Sequence, residues 1–158
     1  MTVKVGDKLP EGIFTVMGSE GPAGLSTAEV FSGKKVVLFA VPGAFTPTCS
    51  AAHLPGFVVQ YDDLIAKGVD TVACLSVNDV FVMDAWGKSS NAENLLMLAD
   101  GNGTYATALG LELDGTGFGM GIRSKRFAMI VNDGVLELLN VDESGFEVSS
   151  VEAVLEAL

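Results

Sequence analysis

Cys49 ends the run Pro42-Gly43-Ala44-Phe45-Thr46-Pro47-Thr48-Cys49, which directly follows the apolar, β-branched stretch Lys35-Val36-Val37-Leu38-Phe39-Ala40-Val41. A short apolar run closed by proline reads as a buried strand. Thr46 is a good N-cap, and Pro47 suits the first helical position because its missing N–H would be unpaired there anyway. These assignments put Cys49 at the third helical residue. There, unpaired N–H groups and the positive end of the helix dipole favour the thiolate, which is the nucleophilic form of a cysteine. The dipole is not sufficient. Bringing a thiol from about 8.5 to about 6 takes roughly 3.4 kcal/mol, whereas a helix terminus supplies ~1 and at most ~2. A hydroxyl donor and a cation must add the rest. Thr46 is the candidate donor. Of the nine basic residues, Arg123 and Arg126 stand at the start of the apolar run Phe127-Ala128-Met129-Ile130-Val131, and either is a candidate cation.

Other residues near this centre carry weaker signals. His53 lies four residues after Cys49, on the same helical face, so a Cys-His pair is geometrically allowed, but no third group that would orient the ring is evident. Cys74, within Val72-Ala73-Cys74-Leu75-Ser76-Val77, reads as strand core, without the electropositive, exposed setting that a reactive thiol needs. Trp86 and Phe45 are candidates to line a pocket. The loop Asp114-Gly115-Thr116-Gly117-Phe118-Gly119-Met120-Gly121 lacks both the GxGxxG spacing and a Gly-Lys-Ser/Thr ending, so it is not read as a nucleotide site. Phe118 is then a candidate apolar wall.

Pro42, Thr46 and Cys49 form Pro-x-x-x-Thr-x-x-Cys, which resembles the active-site motif of the peroxiredoxins. The longer string Val41 to Ser50, followed by His53-Leu54-Pro55-Gly56-Phe57, resembles the atypical (type II) branch of that family. So do Ser76-Val77-Asn78-Asp79-Val80-Phe81-Val82-Met83, Ala85-Trp86-Gly87 and Arg123-Ser124-Lys125-Arg126-Phe127-Ala128-Met129. The resemblance implies a thiol peroxidase in which Cys49 attacks a hydroperoxide and becomes a sulfenic acid. Thr46 and Arg126 would position the oxygens, and Pro42 would shield the site. It implies no metal or organic cofactor, and a homodimer. Some members carry a third, late cysteine for an internal disulfide; Ser144-Gly145-Phe146-Glu147-Val148-Ser149 holds none. An external thiol is then the implied reductant, glutathione with glutaredoxin or else thioredoxin, in a 1-Cys mechanism. Two other classes remain open at this point: a thioredoxin-fold redox sensor or chaperone using the same cysteine, and a Cys-His acyl-transfer enzyme using Cys49 and His53.

The elements that must position these groups follow from the pattern of the chain. Strands are predicted at 36–41, 69–77, 94–98, 126–131 and 135–141, with Asn132-Asp133-Gly134 turning the last pair. Helices are predicted at 47–67, with a kink at Pro55-Gly56, at 79–88, and at 103–109 ending on Gly110. Ser26-Thr27-Ala28-Glu29 and Ser149-Ser150-Val151-Glu152 read as capping boxes, with serine at N-cap and glutamate at N3. In the second, Val151, Val154, Leu155 and Leu158 share one apolar face. Strands joined by helical crossovers, then a hairpin and a final helix, predict an α/β, thioredoxin-like three-layer sandwich around a central mixed sheet. The whole of 1–158 is expected to form one domain that buries its own core without a staple. A net charge of −11 argues against nucleic acid. No apolar run has spanning length, which argues against a membrane segment. Two cysteines with 24 residues between them, and a first segment Met1-Thr2-Val3-Lys4 without an apolar leader, lead us to expect a cytoplasmic, reducing setting.

Overall fold

A computed structural model describes residues 1–158. In chain order the elements are β1 (Ile13–Gly18), β2 (Gly21–Ser26), α1 (Thr27–Phe31), β3 (Lys35–Val41), a π-helical turn (Cys49–His53), α2 (Leu54–Val59), α3 (Tyr61–Ala66), β4 (Thr71–Ser76), α4 (Val80–Ser89), β5 (Leu96–Ala99), α5 (Thr104–Leu109), β6 (Glu112–Asp114), β7 (Ile122–Ser124), β8 (Arg126–Asn132), β9 (Val135–Asp142) and α6 (Val151–Ala157). Seven strands form one mixed sheet in the order β2-β1-β5-β4-β3-β8-β9, and β6 pairs only with β7. β3, β4 and β5 run parallel, while β8 lies antiparallel to β3.

The period-2 alternation of strand side chains sorts the core into two layers. Val37, Phe39 and Val41 of β3 face a cluster that also holds Cys49, Leu54, Phe57, Trp86, Cys74 and Val154. Val36, Leu38 and Ala40 face the other way, toward Val30 and Phe31 of α1 and Tyr105 and Leu109 of α5. This is the predicted three-layer sandwich. The same parity decides the direction of Arg126. Ala128 and Ile130 belong to the Cys49 layer and Phe127 and Met129 to the opposite one, so Arg126, two residues before Ala128, points to the Cys49 side.

Two local expectations are corrected, and one element was missed. The helix predicted at 47–67 is bent not at Pro55-Gly56 but on either side of them. The turn Cys49–His53 is widened to π geometry, with the Leu54 N–H donating to the Cys49 carbonyl, and a second break falls at Gln60 (φ −101°, ψ 20°). Pro55 offers no N–H and its ring crowds the carbonyl four residues back, so the turn just before it opens to relieve the contact. Ser26 and Glu29 do form a capping box. The last helix, however, is capped by Ser150, whose hydroxyl accepts from the Ala153 N–H, and not by Ser149, which is fully buried. The hairpin β1–β2 was not predicted at all: β2 is Gly-Pro-Ala-Gly-Leu-Ser, an edge strand whose pairing with β1, not its propensity, makes it a strand. No helix is long and apolar enough to cross a membrane.

Candidate active site

β3 ends at Val41 and delivers the chain into the loop 42–48. The Ser76 hydroxyl, at the end of the neighbouring β4, lies 3.1 Å from the Val41 carbonyl and 2.6 Å from Asn78 Oδ1. Asn78 Oδ1 in turn accepts from the Ala44 N–H at 2.9 Å, fixing the loop from below. Phe45 takes up a left-handed conformation (φ 65°), uncommon for a bulky residue, and leaves its ring half exposed beside Trp86. Trp86 is itself buried and donates from Nε1 to Ser50 Oγ at 2.9 Å, tying α4 to the turn that carries Cys49.

Cys49 is the third residue of the helical stretch that begins at Pro47, as predicted, and has no exposed surface. Thr46 sits where predicted but acts differently. Its hydroxyl donates to the Gly43 carbonyl at 2.7 Å, across the tight turn closed by the Thr46 N–H to the same carbonyl, and so caps no helical N–H. With its hydrogen held there, the oxygen offers lone pairs to whatever enters the loop.

Arg126 is the cation at the sulfur. Its Nη2 donates to Cys49 Sγ at 3.0 Å, and its Nη1 donates to His53 Nδ1 at 2.9 Å. The residue is only 8 % exposed, so the charge acts at short range with little screening by solvent. Arg123 makes other contacts: Nε donates to the Met120 carbonyl and Nη1 to the Val77 carbonyl, stitching the glycine-rich loop to the β4–α4 connection.

The tautomer of His53 follows from its partners. The Ser149 carbonyl, 2.9 Å from Nε2, can only accept, so Nε2 bears the hydrogen and Nδ1 presents the lone pair that Arg126 uses. The ring is packed among Phe39, Phe57 and Phe146. Burial, and then the neighbouring Arg126 charge, push its pKa down to about 3. His53 therefore holds the guanidinium as a neutral acceptor, a contact for which the i+4 spacing to Cys49 was the only sequence signal. Ser50 and Asn78 lie inside the strings that carry the resemblance but are given no role there, Ser149 reads in the sequence only as a helix cap, and Phe146 has no signal.

A cavity of about 250 Å³ opens beside this cluster, with Pro42, Thr48, Arg126 and Gly145 among its walls. A larger hollow of about 320 Å³, between α4 and β5, contains none of these residues. Cys74 lies in the middle of β4, fully buried, and burial together with nearby Cys49 pushes its thiol up.

Residues 4–155 match the family model described as Redoxin. Peroxiredoxin-2C of Oryza sativa subsp. japonica is 50% identical over 159 residues, covering 99% of this chain and 98% of that protein. Peroxiredoxin-2E-2, chloroplastic, of the same organism is 49% identical, covering 99% of this chain and 73% of that one. The crystal structure of reduced Prx3 in complex with H2O2 from Vibrio vulnificus superposes with a TM-score of 0.96 at 54% identity, covering 99% of each chain. With a thioredoxin-type sheet and a buried cysteine held by an arginine at the mouth of a helix, this chain belongs to the Redoxin family and is a type II peroxiredoxin, a thiol-dependent peroxidase.

Proposed function

We propose that the chain, as one thioredoxin-fold domain, reduces hydrogen peroxide and small alkyl hydroperoxides through a sulfenic acid on Cys49. The observation that carries this reading is the 3.0 Å contact from Arg126 Nη2 to Cys49 Sγ. A planar guanidinium offers further N–H groups beside the one on sulfur, so it can meet a peroxide oxygen while still favouring the thiolate. The Cys49 thiolate attacks the nearer peroxide oxygen. A sulfur–oxygen bond forms, the oxygen–oxygen bond breaks, and its electron pair leaves with the far oxygen, which takes a proton to become water or an alcohol. Sulfur is oxidised and the peroxide reduced. The Thr46 oxygen accepts from the peroxide hydroxyl, the first-turn amides face the charge that develops, and Pro42 walls the site from water.

Regeneration falls to an external thiol, glutathione with glutaredoxin or thioredoxin, because Cys74 is sealed in the sheet. Two equivalents of thiol return Cys49 and leave as a disulfide with one water. We place the reaction in a reducing compartment such as the cytoplasm, and take a homodimer as the working assembly. The acyl-transfer reading is disfavoured: both His53 nitrogens are engaged, neither with Cys49, and a ring held to about pKa 3 is a weak base at neutral pH.

The test is peroxide consumption with each thiol donor in turn, together with mass analysis of Cys49 after one equivalent of H2O2 in the absence of thiol. The expected product is Cys49 sulfenic acid, trapped by a dimedone-type reagent, with Cys74 unmodified. Hydrolysis of an activated ester without any peroxide turnover would favour the acyl-transfer enzyme instead.

A further inference from the structure

We infer that Asp142 is a positioning residue for the peroxidase reaction, acting on Arg126 through the Ser149 carbonyl and the His53 ring; the inference rests on the function proposed above. Asp142 is the last residue of β9 and pairs with Arg126 across the β8–β9 ladder, so the two side chains emerge on the same face. They nevertheless form no ion pair: the fold's two ion pairs are Lys88–Asp84 and Lys125–Glu143. The carboxylate turns instead to the loop that follows it. Oδ1 accepts from the Val148 N–H at 3.1 Å. Oδ2 accepts from the N–H groups of Glu147 (3.1 Å) and Ser149 (3.0 Å) and from the Ser149 hydroxyl (2.6 Å).

This arrangement has two consequences for Arg126. A carboxylate seated on the guanidinium would compete with the thiolate for its charge, and the four donors hold Asp142 away from that role. They also hold residues 147–149 rigid, which places the Ser149 carbonyl where it fixes the His53 tautomer and aims Nδ1 at Arg126. The same loop lays the Phe146 ring 4.9 Å from His53 and 5.8 Å from the Arg126 Cζ, packing both from one side. A guanidinium that drifts by 1 Å no longer bridges sulfur and peroxide, and misplacements of that size cost on the order of 100-fold in rate.

A double-mutant cycle tests this. Asp142→Asn replaces one acceptor oxygen by a donor facing donors. It should lower the second-order rate constant with H2O2 by about tenfold and reduce the thiolate ultraviolet absorbance at neutral pH. In a His53→Leu background, where the link to Arg126 is already cut, the same change should cost less than about twofold. Rescue of the single His53 lesion by His53→Gln, which keeps one donor and one acceptor, is also expected. Ser149→Ala removes the hydroxyl but keeps the carbonyl. Run through the same cycle, it supplies the answer if Asp142→Asn does not fold, with a loss of about two- to threefold in the parent and none in His53→Leu. Equal losses in both backgrounds, or a wild-type rate for Asp142→Asn, would overturn the inference. A parent chain that consumes no peroxide would overturn the peroxidase reading alone, since thiolate absorbance still reads the cycle.

Discussion

Cys49 and Cys74 lie in the same apolar layer of the fold, and neither has exposed surface. Burial by itself disfavours the charged thiolate, so it cannot be what would make one of them reactive and leave the other inert. The difference is the partner each sulfur meets. Cys74 is locked between β3 and β5, where strand pairing brings Phe39 and Met97 alongside it and no donor approaches. Cys49 stands at the end of the sheet, where the β3 loop, the first residue of β8 and the loop after β9 converge, and there Arg126 donates to it at 3.0 Å. On the reading proposed above, what distinguishes Cys49 is the guanidinium that the first residue of β8 brings to it, and not solvent access.

The sharpest way to break that comparison is to remove the Cys49 sulfur. Cys49→Ser should abolish peroxide reduction, because a serine hydroxyl is not ionised near neutral pH and is a poor nucleophile toward oxygen. Stopped-flow peroxide consumption reads this directly, and rapid turnover by the variant would show that the nucleophile is elsewhere. Removing the donor should cost less than removing the sulfur. Arg126→Gln deletes a charge-assisted contact of roughly 1.5–3 kcal/mol, which predicts a loss of about ten- to a hundredfold in the second-order rate constant. Arg126→Lys should be impaired less severely, since a point charge replaces a fork that bridges two acceptors. Arg123→Gln should change the rate little, because that guanidinium binds the carbonyls of Met120 and Val77. Should Arg123→Gln prove the crippled variant, the cation has been assigned to the wrong arginine.

The two cysteine regions should also differ in their response to acid. His53 is the only histidine in the chain. Unfolded, it takes up a proton near pH 6.5, and folded only at about 3, because it is buried and faces Arg126. Between those values the unfolded chain binds more protons. The contribution to stability is therefore complete above pH 6.5 and declines as pH falls, by about 2 kcal/mol at pH 5 and further toward pH 3. Asp142 is pushed up by burial, but the Ser149 hydroxyl and the amides of residues 147–149 outweigh this and hold its carboxyl below the usual range. Its stabilisation is present above the ordinary carboxylate range and disappears only in stronger acid, below about pH 4. Urea unfolding from pH 7 to 4.5 should thus show a slope that His53→Leu flattens. An unchanged slope would mean that the ring is not kept neutral.

Much of this centre was legible because strong local rules act on it. A strand closed by Pro42, a helix opened by Pro47 and a cysteine two residues later leave little freedom, whereas the residues alone leave Arg123 and Arg126 both open: only the resemblance favours Arg126, and parity explains it once Ala128 and Ile130 are seen in the Cys49 layer. The unread parts depend on distant partners. Thr46 looks like a cap by type, yet the Gly43 carbonyl competes for its hydroxyl within the turn. In the sequence Glu152, three residues on, favours Ser149 over Ser150 as the cap. Only the Asp142 carboxylate, arriving from β9, draws Ser149 inward and leaves the capping to Ser150. The π turn at Cys49–His53 answers a proline two residues beyond it, and β2 exists because β1 needs an edge partner.

The smallest expected effect sharpens the comparison from the inert side. Cys74→Ala removes one sulfur from a sealed site flanked by Val72, Phe39 and Met97, and the neighbours can relax only partly around the space left. The expected cost is about 1 kcal/mol in stability, read by urea unfolding with m unchanged, while the peroxide rate constant stays within about twofold of the parent. Cys74→Ser should be somewhat worse, because its hydroxyl must find an acceptor inside the layer or remain unpaired. Neither variant should alter the requirement for an external thiol. That last point has a direct assay: after one equivalent of peroxide and no thiol, the parent and Cys74→Ala should yield the same trapped Cys49 sulfenic acid in the same amount. If the parent instead accumulates a Cys49–Cys74 disulfide that Cys74→Ala cannot form, the strand has opened during turnover and the two cysteines form one catalytic pair.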